Sequence, residues 1–302
     1  MSSKIKQEQI LIEDLEIERQ KVGLRRDVIQ INHTITFEIK RNFKKLLVML
    51  FIYLGIFLLS YLLNELLLEF MGGALPTNSA TFIGNYVGEF FGLALIISTA
   101  AFGGSIIAED FYKQTGNLLF PKISKTRLLI GRLIARFLLN ALCVLFFYGL
   151  VGILTLAKYG EVTITIFNSI GWALLYSFVL LSFVSFLSSF MKSTSFTIIT
   201  SILVLMIVMQ MVPMILIYSE AITENNEIPM FFVFSYFGQI ISASLDMPTE
   251  RFITELIPPG HGIEVSSWAT PSVFGAILGM IIYIAIFLVL TYFLYQRRQS
   301  KG

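Results

Sequence analysis

The most specific run of side chains lies between Ala108 and Lys125: Ala108-Glu109-Asp110-Phe111-Tyr112-Lys113-Gln114-Thr115-Gly116-Asn117-Leu118-Leu119-Phe120-Pro121-Lys122-Ile123-Ser124-Lys125. Glu109 and Asp110 come first, where negative charge favours a helix N-terminus. Thr115-Gly116 can end a short helix, because glycine accepts the left-handed conformation of a C-cap. Leu118-Leu119-Phe120 begins a second apolar piece that stops at Pro121. Arg127 and Arg132 follow, with Gly131 between them. The pattern is that of a structured elbow between two helices.

Elsewhere, reactive chemistry is sparse. There is no G-x-x-x-x-G-K-[ST] run to cradle phosphates, no H-E-x-x-H pair and no Ser-His-Asp arrangement. His33 and His261 are isolated, whereas a zinc site needs three or four ligands. The single cysteine, Cys143, excludes an internal disulfide framework. The chain is therefore not expected to be an enzyme by itself, or to hold a metal or cofactor. Asn140 and Gln210 sit in apolar runs, where each is expected to face protein. Ser182, Ser185, Ser188 and Ser189 share a small polar helix face, suited to helix packing or to lining a pathway. Asn140, Ser182, Ser185 and Gln210 are the candidate substrate-pathway residues. Glu65, Glu69 and Glu89 lie near span ends, in reach of water.

The elements that position these groups are membrane spans. Of 302 residues, 56% are hydrophobic and only 14% charged, and the charges cluster at the ends and in a few short loops. Between them lie runs long enough to cross about 30 Å of hydrocarbon. Six spans are predicted, near 46–68, 88–108, 128–156, 167–190, 196–218 and 272–295. Lys and Arg fall almost wholly on one side: only Lys158 and Arg251 of the 22 lie in the alternate loops. The positive-inside bias then predicts both termini in the cytoplasm. The fold expected is an all-α multi-pass membrane protein in the cell membrane, without the short alternating segments of a β-barrel.

Residues 1–45 carry ten Lys/Arg and no apolar run of signal-peptide type. Within them, Leu24, Val28, Ile31, Ile35, Ile39, Phe43 and Leu46 recur at helical spacing. This predicts an amphipathic helix over 24–46, lying in the cytoplasmic interface or continuing into the first span. The domain plan is a cytoplasmic segment 1–45, a six-helix domain 46–295 with the elbow at 109–127, and a tail 296–302. The outer loop 219–271 is broken by prolines, and its apolar stretch 230–245 is too short to span. Gly88-x-x-x-Gly92 and Gly275-x-x-x-Gly279 permit close helix approach.

The elbow resembles that of the permease subunits of type-two ABC exporters. The resemblance rests on Glu109, Thr115, Gly116, Leu118, Leu119, Pro121, Ile123, Ser124, Lys125, Gly131 and Arg132. The six-span layout, the amphipathic N-terminal helix and the broken outer loop agree with it. Two features depart from the family pattern: Thr-Gly reverses the commoner order, and Lys122 stands where many members have proline. The resemblance implies that the elbow is a coupling helix seated in a groove of a separate ABC ATPase subunit, which carries the ATP and Mg. Phe111, Tyr112 and Leu119 would be its apolar anchors. Glu109, Asp110 and Lys113 would orient the contact, with Thr115, Gly116 and Pro121 shaping the elbow. It further implies a second permease copy, as homodimer or related heterodimer, and alternating access driven by ATP. Nucleic acid is not an expected partner. Apolar span centres favour a lipid-like, amphipathic or hydrophobic cargo. The alternative is a non-transporting scaffold or assembly protein whose elbow recruits a cytoplasmic partner. A secondary transporter would need buried ionisable groups at the span centres, which hold almost none.

Overall fold

The computed structural model describes residues 2–67, 70, 76–88, 90–112, 124–218, 226–248, 250–256 and 264–299. Six helices are long and apolar enough to cross a membrane: Arg26–Glu65, Phe91–Phe111, Lys125–Tyr159, Thr165–Phe190, Thr194–Pro213 and Val273–Arg298. They coincide with the six spans expected from hydropathy, and the chain is a multi-pass membrane protein of helical class. Its exposed residues include dozens of large apolar side chains, such as Phe51, Phe167 and Phe274, as lipid-facing helices require.

The first helix, α1 (Ser2–Tyr61), is continuous and passes into a π-helical turn at Leu62–Leu67. The segment 24–46 is thus the middle of one long helix that continues into the first span. Of the predicted apolar stripe, Val28 and Phe43 are exposed, Ile31, Ile35 and Ile39 half-buried and Leu46 buried. Thr34, Glu38, Asn42, Leu46, Met49, Tyr53, Ile56 and Ser60 are buried at intervals of three and four, while Val28 and Phe43 are exposed. Up to Asn42 the inward stripe is polar, because its partner helix presents arginines.

That partner is α5 (Lys125–Tyr159). The two run parallel: Asp27 meets Arg127 at 2.6 Å near one end, and Glu65 pairs with Lys158 near the other. Between these pairs α1 presses on Gly131, where a Cβ would lie 2.8 Å from Thr34 Cβ and Cγ2. Gly131→Val is therefore expected to push α1 off α5. Overpacking of this kind costs about 1–3 kcal/mol, and graded heating of the detergent-solubilised chain with size-exclusion readout checks it. Gly160, at φ 73°, ends α5 with its N–H donating to the Leu156 carbonyl.

After α2 (Ser79–Gly88) comes α3 (Phe91–Gly103), which passes through turn residues 104–107 into the short helix α4 (Ala108–Tyr112), where the expected elbow begins. The turn is close-packed: Cβ atoms at Gly103 and Gly104 would lie 2.7 Å from Val184 and 2.6 Å from Ile198. Helix α6 (Thr165–Phe190) runs through the centre of the bundle and packs against α3, α5 and the last helix. The fifth span is not a plain helix. It comprises α7 (Thr194–Leu203), a π-turn at Val204–Val208 and α8 (Met209–Tyr218), with Pro213 inside. Proline removes a backbone donor and loosens the ladder there.

The segment between the fifth and sixth spans contains α9 (Ile228–Phe231), a 3-10 turn at Phe234–Gln239 and α10 (Ile240–Ala243). Phe237, Ile240 and Ile241 pack into the main core with Ala276 and Met280 of the last helix, α11 (Val273–Gln299). Gly279 meets the Phe237 ring and Gly275 meets Phe231, so the Gly275/Gly279 pair serves packing within one chain. One element departs from the all-α expectation. Strands β1 (Phe252–Leu256) and β2 (Glu264–Trp268) form an antiparallel hairpin, in register from Phe252↔Trp268 to Leu256↔Glu264. Phe252 and Trp268 stack edge to face at 5.3 Å, a cross-strand aromatic pair of the kind that stabilises short ribbons. We refer below to the elbow end and the hairpin end of the bundle.

Candidate functional site

At the elbow end three carboxylates and three guanidiniums are brought together by α1, α4 and α5. Arg132 is held by both Asp110 oxygens: Nη1 donates to Oδ2 at 2.6 Å and Nη2 to Oδ1 at 2.8 Å. This bidentate fork is the strongest arrangement open to such a pair. Arg132 Nη1 also donates to the Ile106 carbonyl at 2.8 Å, in the turn before the elbow, and its Nε lies 3.3 Å from Glu38 Oε1. Glu38 Oε2 lies 2.8 Å from Arg41 and 3.0 Å from Arg136. Arg41 in turn reaches Glu109 at 3.1 Å. Side-chain exposure is 0–3% for Asp110, Arg132, Arg136 and Glu38, so four formal charges are out of water. Burial of this kind is tolerable only with full pairing.

The last helix closes the cluster. Tyr295 donates its hydroxyl to Asp110 Oδ2 at 3.3 Å. One turn on, Arg298 lays its guanidinium 3.8 Å above the Phe111 ring. Its Nη1 also donates to the Ser189 and Met191 carbonyls at 3.0 and 2.8 Å, satisfying the open C-terminus of α6. Ser188 Oγ accepts from the Ile107 and Ala108 amides at 3.1 and 3.0 Å, and donates to the Gly104 carbonyl at 3.2 Å. The elbow is thereby fixed to four other long helices by side-chain bonds. A displacement of α4 must move them or break those bonds.

The site residues expected from sequence fall in different places. Glu109 is partly exposed and paired with Arg41. Asp110, expected to orient a partner contact, has a fully buried carboxylate taken up by Arg132 and Tyr295. Phe111 is partly buried, packed against the cluster that includes Ile106, Ile107 and Leu129, and covered by Arg298. Tyr112 ends α4, and its side chain lies outside the described part of the structure. Lys113, Thr115, Gly116, Leu119 and Pro121 lie outside the described residues.

The candidate pathway residues are not brought together. Asn140 is buried in the bundle centre, where Ser98 donates to its Oδ1 at 2.5 Å and shares a 3.0 Å bond with the Tyr53 hydroxyl. These three tie α1, α3 and α5. Ser182 and Ser185 are buried and bond back to the Phe178 and Leu181 carbonyls of their own helix at 2.7 Å. None of Asn140, Ser182 and Ser185 lines the cavity of about 500 Å³ between α3, α6 and the fifth span. The Gln210 side chain lies outside the described part. The Tyr53–Ser98–Asn140 set is a helix-packing cluster, and Asn140→Leu is expected to cost about 0.6–1.7 kcal/mol, the scale of interhelical bonds in membranes. Thermal unfolding in detergent measures this, and a loss far above that range would show that the cluster is not merely a packing contact.

At the hairpin end a second, smaller lock joins α9 to β1. Arg251 Nη1 reaches both Glu227 oxygens at 3.1 and 3.2 Å, and the guanidinium lies 5.0 Å above the Trp268 ring. Tyr236 donates to Glu227 Oε1 at 2.9 Å. Burial, reinforced by the Glu227 charge, pushes the Tyr236 hydroxyl above the ordinary tyrosine range.

Glu38, Arg41, Arg136, Tyr295 and Arg298 were not recognised as site residues from sequence. A signal for the first was present: Arg132 and Arg136 lie one turn apart in an otherwise apolar run. Two such charges on one helix face require buried counter-ions from another helix.

Among the described residues no group of three or more His, Cys, Asp or Glu is placed to hold a metal ion. No family model and no curated protein matches this chain.

Proposed function

We propose that the chain is the membrane-spanning permease subunit of an ATP-driven ABC transporter of the exporter kind. A separate ATPase subunit acts on the elbow, and a second permease copy completes the pathway. The observation that carries this reading is the ionic cluster around Arg132. A lever must be stiff where it meets the helices it moves, and coupling needs an element with discrete positions. Here Asp110 and Glu109 tie the elbow to α5 and α1, while Tyr295 and Arg298 tie it to α11. On this reading the elbow end is cytoplasmic, the hairpin end is outside, and the membrane is the cell membrane. The exposed Val28, Phe37 and Phe43, beside exposed Lys40 and Lys44, then lie at the inner interface among headgroups. ATP and Mg belong to the partner.

The test is affinity purification of the full chain in mild detergent from its own cells. A subunit with a P-loop is expected to co-purify and to hydrolyse ATP in the reconstituted complex. Glu109→Lys, at the partly exposed edge of the elbow, is expected to lower that turnover several-fold while the chain stays monodisperse. Recovery of a partner without nucleotide-binding motifs would favour the scaffold reading instead. ATP turnover indifferent to Glu109→Lys would remove the elbow from the mechanism.

A further inference from the structure

Pro213 leaves the fifth span with a carbonyl to satisfy. In a regular helix the Met209 carbonyl accepts from the amide four residues on, and that residue is Pro213, which has none. Within a membrane a freed carbonyl is costly, and proline is tolerated where a neighbouring Ser or Thr side chain takes the place of the amide. Ser235 does so: its hydroxyl donates to the Met209 carbonyl at 3.0 Å. Ser235 belongs to the 3-10 turn at Phe234–Gln239. The bond therefore joins α8 to the segment before β1.

The two halves of this span are fastened to different parts of the molecule. Helix α7 packs against α3, α4 and α6, and its Ile198 lies against Gly104 in the turn before α4. Helix α8 packs instead against α9, the 3-10 turn and β2. Its Val212 and Leu216 join Met230, Val233 and Tyr236, with Phe252 and Trp268, in a small apolar core at the hairpin end. The π-turn at Val204–Val208 stands between the halves, and the Met209 amide reaches five residues back, to the Val204 carbonyl. Single π-turns inside α-helices recur at functional sites. The cavity of about 500 Å³ has Met206 and Pro213 in its lining together with Phe91 and Ile96. The span is therefore not packed solid beside the turn.

We propose that the fifth span is articulated. Val204–Val208 is its joint, and Ser235 is the positioning residue that fastens the outer half, α8, to the hairpin end in place of the missing proline amide. A displacement of the elbow turn then carries α7 with it while α8 stays with the hairpin, and the π-turn takes up the difference. The device goes beyond the transporter reading and stands whether or not an ATPase acts on the elbow.

Hydrogen exchange of the full chain in phosphatidylcholine nanodiscs, read by mass spectrometry of peptides from each half, tests this. In the unaltered chain, amides of 204–208 are expected to exchange faster than those of 194–203 or 209–218. Ser235→Ala is expected to speed exchange in 209–218 about three- to fifteenfold, the scale of one interhelical bond in a membrane, and to leave 194–203 unchanged. Ser235→Thr, which keeps the hydroxyl, should hold the parent rate. Pro213→Ala restores the amide, so adding Ser235→Ala to it should have little further effect. That pair also keeps the test alive should Ser235→Ala alone fail to fold. Equal acceleration in both halves, or none, would overturn the fastening role. An effect of Ser235→Ala undiminished in the Pro213→Ala background would show that the hydroxyl does not stand in for the amide. Exchange in 204–208 as slow as in its neighbours would remove the joint.

Discussion

Arg132→Ala is expected to destabilise the protein more than any other single truncation, by about 3–5 kcal/mol, the cost of breaking a buried ion pair. The change strips Asp110 of both its charge-assisted bonds and takes one cation from Glu38, leaving a fully buried carboxylate with, among the described residues, only the 3.3 Å bond from Tyr295. It also releases the Ile106 carbonyl, so the turn into the elbow loses its clamp. The midpoint of thermal unfolding in detergent, followed by size exclusion, should fall well below that of the unaltered chain. Arg132→Lys keeps the charge but not the planar fork, and should fall between the two. A midpoint for Arg132→Ala equal to that of the parent would mean that the cluster contributes nothing.

The pair Glu38 and Arg136 gives the second large effect, and its signature is non-additivity. Glu38→Leu leaves Arg136 buried without its one ion-pair partner, since its guanidinium makes no hydrogen bond among the described residues. Arg136→Met leaves Glu38 with Arg41 and Arg132. The first single variant is expected to cost about 3–5 kcal/mol and the second less. The double variant removes one charge of each sign. Arg132 stays with Asp110 and Arg41 with Glu109, so it should be more stable than Glu38→Leu alone. A double-mutant cycle should return a coupling of about 0.5–3 kcal/mol. Simple addition of the two losses would show that these side chains do not act together.

The six spans were legible in the sequence because each is a long apolar run, and length with hydropathy determines a span almost alone. Glu109 and Asp110 close the second apolar run, and residues 113–123 of the expected elbow lie outside the described residues. What could not be read was which side of a helix faces inward. In water the apolar stripe turns to the core, but in a bilayer both lipid and core accept apolar groups. Along 24–46 the apolar stripe does not mark the face buried against protein: Phe43 is exposed and Glu38 buried, since Arg132 and Arg136 decide the facing. The same ambiguity affected Asn140, Ser182 and Ser185. A polar residue in an apolar run signals contact with protein, but it does not distinguish a cavity wall from a helix seam. The β1–β2 hairpin escaped notice because its strands are short and joined by residues 257–263 rather than by a two-residue turn.

Tyr295 and Asp110 are separated by 185 positions, whereas Arg132 follows Asp110 by 22. On a ribosome adding roughly 5–20 residues per second, the carboxylate meets its arginine within about 1–4 s but waits about 10–40 s for the tyrosine. The corner between the second and third spans is therefore set early in biogenesis, and the sixth span is received onto a scaffold already standing. Truncations that remove the closing helix should yield nascent chains that insert five spans and hold the early pair, yet stay open to proteases at the corner that Arg298 and Tyr295 would have sealed.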